Sequence, residues 1–593
     1  MIIFGLLSAA FFNTQVVRNS AYTVQSDKNR LRPLPIPAAR GTIYDRYGRI
    51  VAGNTPGYAL ALLPAPEDTL RAALNSLAPV LGLSPARIRQ LLIRHRDERT
   101  QPLVVSNDLT FEQASALEEN LHAYPRVVID MRPKREYAVG KSIAHIIGYV
   151  SEISKTELTK PQFAGYTQGQ IVGKAGLERA YEARIGGRPG IRYVEVDARG
   201  RIVSGLNAKS LASVAPVAGQ PLQLYLDLGL QEFVSRIFPD SMRGAVVAME
   251  PGTGHVLAMY SNPAFDPNQF IGGISSTLWQ DLNTNPGKPL LDRAALGLYP
   301  PGSTFKLATA AIALELNAVD PNAFMPIPCR GGLQYGNRYF KCWERRGHGF
   351  VNLPDAIRHS CDVYFYQLGL KIGLQRMLAE GTRLGFAKKS GIDLPIDRAG
   401  NFPSEPDWYW RHFGWKPTQA EVLNLAIGQG PNDQTPLKMA QFYAALAADG
   451  RVGPPRIAAL PDDGSDAGWD LHLSAENLKW LREGLRRVTA PGGTAGMSAL
   501  EHWDWIGKTG TAQNPHGADH AWFVGMAGPR GGAPEVVVAA LVEFGAHGSE
   551  AAQYAAKAAD YYLRRKHHMR TDSIQTLREY LVTGRPTPWV VWQ

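Results

Sequence analysis

A hydroxyl and an amine stand one helical turn apart near the middle of this 593-residue chain. Ser303 and Lys306 open an apolar stretch, residues 307–314, that predicts a helix. Residues three apart on a helix share a face, so the two side chains are neighbours. A serine is a poor nucleophile until an adjacent base takes its proton, and a desolvated lysine at a helix start can serve as that base. The pair predicts acyl transfer, but the spacing alone is weak evidence because it often arises by chance.

Two further motifs follow in the chain and strengthen this interpretation. A Ser-Cys-Asp motif at Ser360 precedes the apolar stretch 363–370, and a Lys-Thr-Gly-Thr motif at Lys508 follows an aromatic run. The ordered set S-x-x-K, S-x-N and K-T-G is the signature of penicillin-binding proteins and class A β-lactamases. The three motifs together therefore resemble the acyl-transfer site of a penicillin-binding protein.

The resemblance implies a role for each motif residue. Ser303 would attack the D-alanyl-D-alanine carbonyl of a peptidoglycan stem peptide, and Lys306 would take the serine proton. Ser360 would pass a proton toward the leaving amine, Asp362 would hold that loop by hydrogen bonds, and Lys508 would add positive charge at the site. Substrate would be bound by Thr509, Gly510 and Thr511, since residues 509 and 511 share one face of a strand. Backbone N–H groups of Ser303 and Thr511 would form the oxyanion hole.

The last residue of the middle motif narrows the resemblance. Asp362 stands where the usual motif has Asn, and the Tyr-Phe-Tyr-Gln sequence at 364–367 is similar to elongation-type class B enzymes, the penicillin-binding protein 2 kind. This resemblance implies a peptidoglycan D,D-transpeptidase that cross-links stem peptides during cell elongation and rod-shape maintenance, and that binds penicillin. A β-lactamase, a D,D-carboxypeptidase or a non-catalytic β-lactam sensor on the same fold remain alternatives.

The three cysteines of the chain are clustered in the sequence and predict a metal site. Cys329, Cys342 and Cys361 lie close together, and His348 stands among them. Three thiols and one imidazole complete a tetrahedral zinc ligand set. An odd cysteine count in an oxidising compartment leaves one thiol unpaired unless a metal holds it. We predict a structural zinc, while the acyl transfer needs no cofactor. The alternative is a Cys329–Cys342 disulfide with Cys361 buried and His348 uninvolved.

The composition favours an enzyme of several domains over a nucleic-acid-binding protein. With 593 residues, 45% of them hydrophobic, the chain can build two or three domains with cores. The net charge of +10 is small for this length. No long basic run is present in the sequence, so we expect no nucleic-acid partner.

The order of predicted elements indicates an α+β fold. Residues 1–17 carry no charged side chain and fit either a short membrane anchor or a cleavable signal peptide. The resemblance favours an uncleaved anchor, before which we expect further cytoplasmic residues. Residues 18–240 predict an elongated α+β pedestal, or dimerisation, domain, whose motifs at Arg40 and Gly173 resemble those of class B penicillin-binding proteins. Residues 241–566 show the order sheet, helical block, sheet and helix. For them the resemblance implies a transpeptidase domain with a central antiparallel sheet, helices on both faces and an all-helical subdomain. Residues 567–593 form a C-terminal tail.

The resemblance also implies a location and partners. We expect a single-pass protein of the inner membrane with most of its chain in the periplasm. Stem peptides would be its substrates and β-lactams its inhibitors. Residues 18–240 show no glycosyltransferase site, so glycan polymerisation would come from a SEDS-type membrane partner. Scaffold proteins of the elongation complex would complete the assembly.

Overall fold

Two separate five-stranded sheets organise the chain. The computed structural model describes residues 2–17, 31–97, 102–124, 126–195, 213–460, 468–514, 517–545 and 547–583. One sheet lies in the predicted pedestal and the other in the predicted transpeptidase domain. Helices pack on both sheets, so the predicted α+β class is confirmed.

The pedestal sheet is built on one long strand. Ile50–Leu62 pairs antiparallel with Val127–Tyr137 over most of its length and with Leu103–Leu109 at its far end. On helix Glu67–Leu81, the leucines at positions 70, 74 and 77 are buried because that spacing places them on one face. The other elements here are the strands Leu31–Ile36, Ile43–Tyr44, Val150–Glu152, Ile171–Gly173, Gly190–Glu195 and Leu222–Gln223, and the helices Pro85–Asp97, Phe111–Glu119, Ala144–Ile147, Lys155–Leu158, Gly176–Ala180 and Glu182–Ile185.

A buried ionic cluster joins the two pedestal motifs that the sequence singles out. Arg40, from the first motif, contacts Glu178 at 2.6 Å and Glu182 at 2.8 Å, both from the second motif. Arg135 also contacts Glu178 at 2.6 Å. Burial alone would raise the pKa of Glu178, yet the two guanidinium groups hold it below its ordinary value. These motif residues therefore join segments of the pedestal that are far apart in the sequence.

The second sheet is fully antiparallel. Its strand order is Val256–Asn262, Arg243–Met249, Val536–Glu543, His520–Pro529 and Trp503–Ala512. Residues 536–542 are all buried, so both faces of the sheet are covered. The helices Gly548–Lys566 and Pro436–Ala447 contact these strands.

The segment between the outer strands of this sheet is mainly helical. Its helices are Ser276–Thr284, Lys306–Glu315, Leu353–Arg358, Asp362–Ile372, Leu374–Arg383, Pro406–Phe413, Glu421–Ala426, Pro436–Ala447 and Ala475–Thr489, and helix Leu228–Ile237 precedes the sheet. The expectation of an all-helical subdomain needs correction, because the strands Gly332–Tyr335 and Arg338–Lys341 form a hairpin within it. Gly336, with a φ of +56°, allows the tight turn between them.

The two ends of the chain are only partly described. Helix Ile2–Phe12 and a π-helical turn at Asn13–Val17 occupy the predicted anchor. Across the described residues, no helix combines the length and apolar character needed to cross a bilayer. Helix Leu577–Thr583 lies in the predicted tail, and residues 584–593 of that tail lie outside the described residues.

The buried ionic cluster gives a stability prediction. Replacing Glu178 by Ala leaves Arg135 and part of Arg40 buried without a counter-charge, which we expect to lower the free energy of unfolding by about 3–5 kcal/mol. Glu405→Ala is the control, because it breaks an exposed ion pair with Arg411 and should cost less than about 1 kcal/mol. Urea unfolding of both variants measures the difference. Equal losses would contradict a special role for the cluster.

Candidate active site

Ser303 lies in a helical turn, Gly302–Phe305, that enters the buried helix Lys306–Glu315. Gly302 fixes this turn in place. It has a φ of +53°, and a Cβ there would lie 2.8 Å from the Thr511 carbonyl oxygen. Its N–H donates to the Gly428 carbonyl at 3.0 Å. Ser303 therefore stands beside the end of strand Trp503–Ala512, which carries the Lys-Thr-Gly-Thr motif.

Lys306 is fully buried and joins the first two motifs. Its ammonium donates to Asp362 Oδ1 at 2.7 Å, to the Ser360 carbonyl at 2.8 Å and to Ser360 Oγ at 3.1 Å. These three acceptors use the three N–H bonds of the ammonium group. Asp362 opens helix Asp362–Ile372, where its negative charge is favoured by the helix dipole.

The Ser360 loop has a backbone conformation that few residues adopt. Ser360 has a φ of +53°, in the left-handed region, and is almost fully buried. Such a residue costs about 1–3 kcal/mol and persists only where surrounding contacts fix it. The N–H of Ser360 donates to Ile357, and its carbonyl accepts from Lys306. Trp343 adds two more contacts to this loop, from its backbone N–H to Asp362 Oδ2 at 3.1 Å and from its indole N–H to the His359 carbonyl at 3.0 Å.

Lys508 and Thr509 approach the same cluster from the edge strand. Lys508 is fully buried, and its ammonium donates to the Thr509 carbonyl at 3.0 Å. The Thr509 hydroxyl lies 2.8 Å from that of Thr494. Thr511 is exposed at the end of the strand, and Gly510 packs against Pro301 and Trp522.

The electrostatics of the site follow from burial and from close charges. Burial lowers the pKa of Lys508 well below the ordinary lysine value, and the nearby Lys306 charge lowers it further, whereas Asp362 opposes the change. Burial raises the pKa of Asp362, and the Lys306 ammonium opposes that rise. The influence of Lys306 and Asp362 on Lys508 places all three charges in one electrostatic unit.

The predicted metal ligands also come together. Each of the four residues Cys329, Cys342, His348 and Cys361 offers one ligand atom, and these atoms lie within 4.8 Å of one another. The His348 Nδ1 atom is 3.6 Å from Cys329 Sγ and 3.7 Å from Cys342 Sγ. None of the three cysteines is disulfide-bonded. Hydrogen bonding from Cys361, with a contribution from His348, lowers the pKa of Cys329 and Cys342 to about 4.

Trp343 and Thr494 are site residues that the motif analysis does not predict. Trp343 follows Cys342, so a prediction that the cysteine cluster docks on the Ser360 loop would have placed it near the site. Thr494 carries no sequence signal, because its contact with Thr509 joins a loop to a strand. Neither residue belongs to a motif, and the fold reveals the contacts of both.

Two family models match the chain. The penicillin binding protein transpeptidase domain matches residues 244–561, and the penicillin-binding protein dimerisation domain matches residues 35–224. The chain therefore belongs to the penicillin-binding proteins that combine these two domains.

Relatives within this family share most of the chain. It is 33% identical to the peptidoglycan D,D-transpeptidase MrdA of Acinetobacter baumannii, over 98% of this chain and 88% of that protein. It is 32% identical to MrdA of Escherichia coli K12, over 86% of this chain and 82% of that protein. Among solved structures, penicillin-binding protein 2 of Helicobacter pylori in complex with MreC aligns with a TM-score of 0.78 and 28% identity, over 89% of this chain and 98% of that chain. The Pseudomonas aeruginosa penicillin-binding protein 2 complex with WCK 5153 aligns with a TM-score of 0.68 and 28% identity, over 92% of this chain and 100% of that chain.

Proposed function

We propose that this chain is a peptidoglycan D,D-transpeptidase that cross-links stem peptides through a serine acyl-enzyme during cell elongation. The observation that carries the proposal is the convergence of the three motifs. Lys306 bonds to Ser360 and Asp362, and Gly302, which precedes Ser303, closely approaches the Thr511 carbonyl. The family membership and the similarity to MrdA proteins support the same reaction.

The proposed reaction has two stages. The Lys306 ammonium group first releases a proton to solvent. Ser303 Oγ then attacks the carbonyl carbon between the two D-alanine residues, and the free Lys306 amine accepts the serine proton. The C–N bond breaks, and D-alanine leaves after its amine receives a proton through Ser360, whose hydroxyl is 3.1 Å from Lys306. The amine of a second stem peptide then attacks the acyl-enzyme, forms the cross-link and restores Ser303.

The edge strand supplies hydrogen bonds in this proposal, and a carboxylate bound beside Lys508 would favour the charged form of its amine. Lys508, Thr509 and Thr511 bind the terminal carboxylate of the donor peptide, and Thr494 supports the Thr509 hydroxyl at 2.8 Å. The N–H groups of Ser303 and Thr511 stabilise the oxyanion, and one such donor is typically worth about 3 kcal/mol. The close approach of Gly302 to the Thr511 carbonyl brings together the two chain segments that carry these N–H groups.

A fluorescent penicillin tests the proposed function against its alternatives. We expect stable covalent labelling of the purified protein, loss of labelling in Ser303→Ala, and full labelling in a control variant of an exposed serine, Ser76→Ala. Cross-linked product should form from stem-peptide-bearing glycan strands with the wild type and Ser76→Ala, and should not form with Ser303→Ala. Rapid release of the label would indicate a β-lactamase. Release of D-alanine from a stem peptide without cross-linking would indicate a carboxypeptidase. Stable labelling without any reaction of stem peptides would indicate a non-catalytic β-lactam sensor, and absence of labelling would refute the proposed function.

We also propose that the cysteine cluster holds a structural zinc ion. Bond lengths of about 2.3 Å for sulfur and about 2.0–2.1 Å for nitrogen place these two ligand types roughly 3.6 Å apart on one tetrahedral zinc. The distances of 3.6 and 3.7 Å from His348 Nδ1 to two thiols fit that value. Cys329, Cys342, His348 and Cys361 would hold the ion. Four protein ligands leave no open position, so the ion would order the Ser360 loop through Cys361 and would take no part in acyl transfer.

Metal removal distinguishes a zinc site from the alternative, a Cys329–Cys342 disulfide. We expect about one zinc per chain, and we expect Cys342→Ser, His348→Ala or chelation to lower the melting temperature and the rate of penicillin acylation together. His412→Ala, an exposed histidine on helix Pro406–Phe413, is the control and should change neither. Elemental analysis and thiol titration give the readouts. A metal-free protein that contains a disulfide and acylates at the normal rate would refute the zinc site.

The membrane location and the partners extend the proposal. We place a single-pass inner-membrane anchor at 1–17, the pedestal at 18–240, the transpeptidase domain at 241–566 and the tail at 567–593, with most of the chain in the periplasm. The uncharged start of the sequence supports the anchor. A SEDS-type polymerase and elongation scaffold proteins are the proposed partners. A similar chain belongs to a peptidoglycan synthase complex, and another is bound to MreC.

A further inference from the structure

Trp343 is a large side chain whose placement hydrophobic packing does not explain. It is 57% exposed, so it adds little to the core. Its indole nevertheless has a fixed environment, because the N–H donates to the His359 carbonyl and the ring lies 5.4 Å from the His348 ring. Its backbone N–H donates to Asp362 Oδ2. Trp343 thus contacts the residues on both sides of the Ser360–Cys361 pair.

The contact with His359 falls at the strained point of the site. The His359 carbonyl belongs to the peptide group that links His359 to Ser360, and Ser360 has the left-handed φ of +53°. Rotation of this peptide group would relieve the backbone strain. It would also move the Ser360 hydroxyl away from the Lys306 ammonium, which donates a hydrogen bond to it at 3.1 Å. The indole N–H bond at 3.0 Å opposes that rotation.

The backbone N–H of Trp343 acts on Asp362, the other residue that bonds to Lys306. Asp362 uses Oδ1 for Lys306 and Oδ2 for the Trp343 N–H, so its carboxylate plane is fixed from two sides. Cys342, which precedes Trp343, belongs to the cysteine cluster, and its N–H donates to the Gly331 carbonyl at 2.9 Å. Trp343 therefore connects this segment to the Ser360 loop.

We propose that Trp343 is a positioning residue for acyl transfer, and that its indole N–H holds the His359–Ser360 peptide group in the orientation that presents the Ser360 hydroxyl to Lys306. This inference rests on the proposed transpeptidase function. In this proposal Trp343 affects the rate constant of acylation, and its indole does not contribute to the initial binding of substrate.

The test removes the donor and keeps the ring. Trp343→Phe and replacement of Trp343 by benzothienylalanine, which has sulfur in place of the indole N–H, are compared with the wild-type full chain. Stopped-flow labelling with a fluorescent penicillin separates the dissociation constant of the first complex from the acylation rate constant. Trp410→Phe is the matched control, because Trp410 is 58% exposed and lies on helix Pro406–Phe413. Zinc content and melting temperature are measured for every variant.

We expect both Trp343 variants to lower the acylation rate constant by roughly threefold to tenfold, the effect of losing one neutral hydrogen bond. The dissociation constant, the melting temperature and the zinc content should stay at wild-type values, and Trp410→Phe should acylate normally. An unchanged rate constant in the benzothienylalanine protein would overturn the inference. So would a loss of rate that occurs only together with loss of zinc. Absence of labelling in the wild type would instead refute the proposed function.

Discussion

The buried charge of Lys306 is the constraint on which the rest of the site depends. An ammonium group removed from water costs several kcal/mol unless its partners repay that cost. Lys306 has no exposed surface, and its three N–H bonds all go to Ser360 and Asp362. The first two motifs can therefore occupy their positions only together. The charge also acts on Lys508, whose pKa it lowers, so the third motif responds to the same group.

The surrounding structure keeps this arrangement rigid by close backbone contact. Gly302 and Gly428 approach so nearly that a Cβ on Gly428 would lie 2.2 Å from the Gly302 carbonyl oxygen. On the opposite side, the segment that carries the cysteine cluster contacts the Ser360 loop through Trp343 and Cys361. The strained φ of Ser360 is stable because contacts from several elements determine it, which is the usual origin of such strain at functional sites.

The sequence predicts the motif residues and the cysteine cluster because each is a set of specific residue types at recognisable spacings. It predicts the hairpin within residues 332–341 poorly, since that segment is short and lies among helices. It does not predict Arg135, Thr494 or Trp343, whose roles arise from contacts with distant parts of the chain. Arg40 and Glu178 stand in recognisable motifs, but only the fold reveals that they form one buried ionic cluster. Local sequence patterns thus identify the reactive residues, and only the tertiary contacts show how those residues are positioned.

A double-mutant cycle on Lys306 and Asp362 tests the central claim most directly. The free energy of unfolding is measured for the wild type, Lys306→Met, Asp362→Asn and the double variant in the full chain. If the pair is mutually compensating, each single variant leaves one buried charge unpaired, and the double variant is less destabilised than the sum of the two by about 2 kcal/mol or more. Additivity within about 0.5 kcal/mol would contradict the account, because it would mean that the two groups do not support each other.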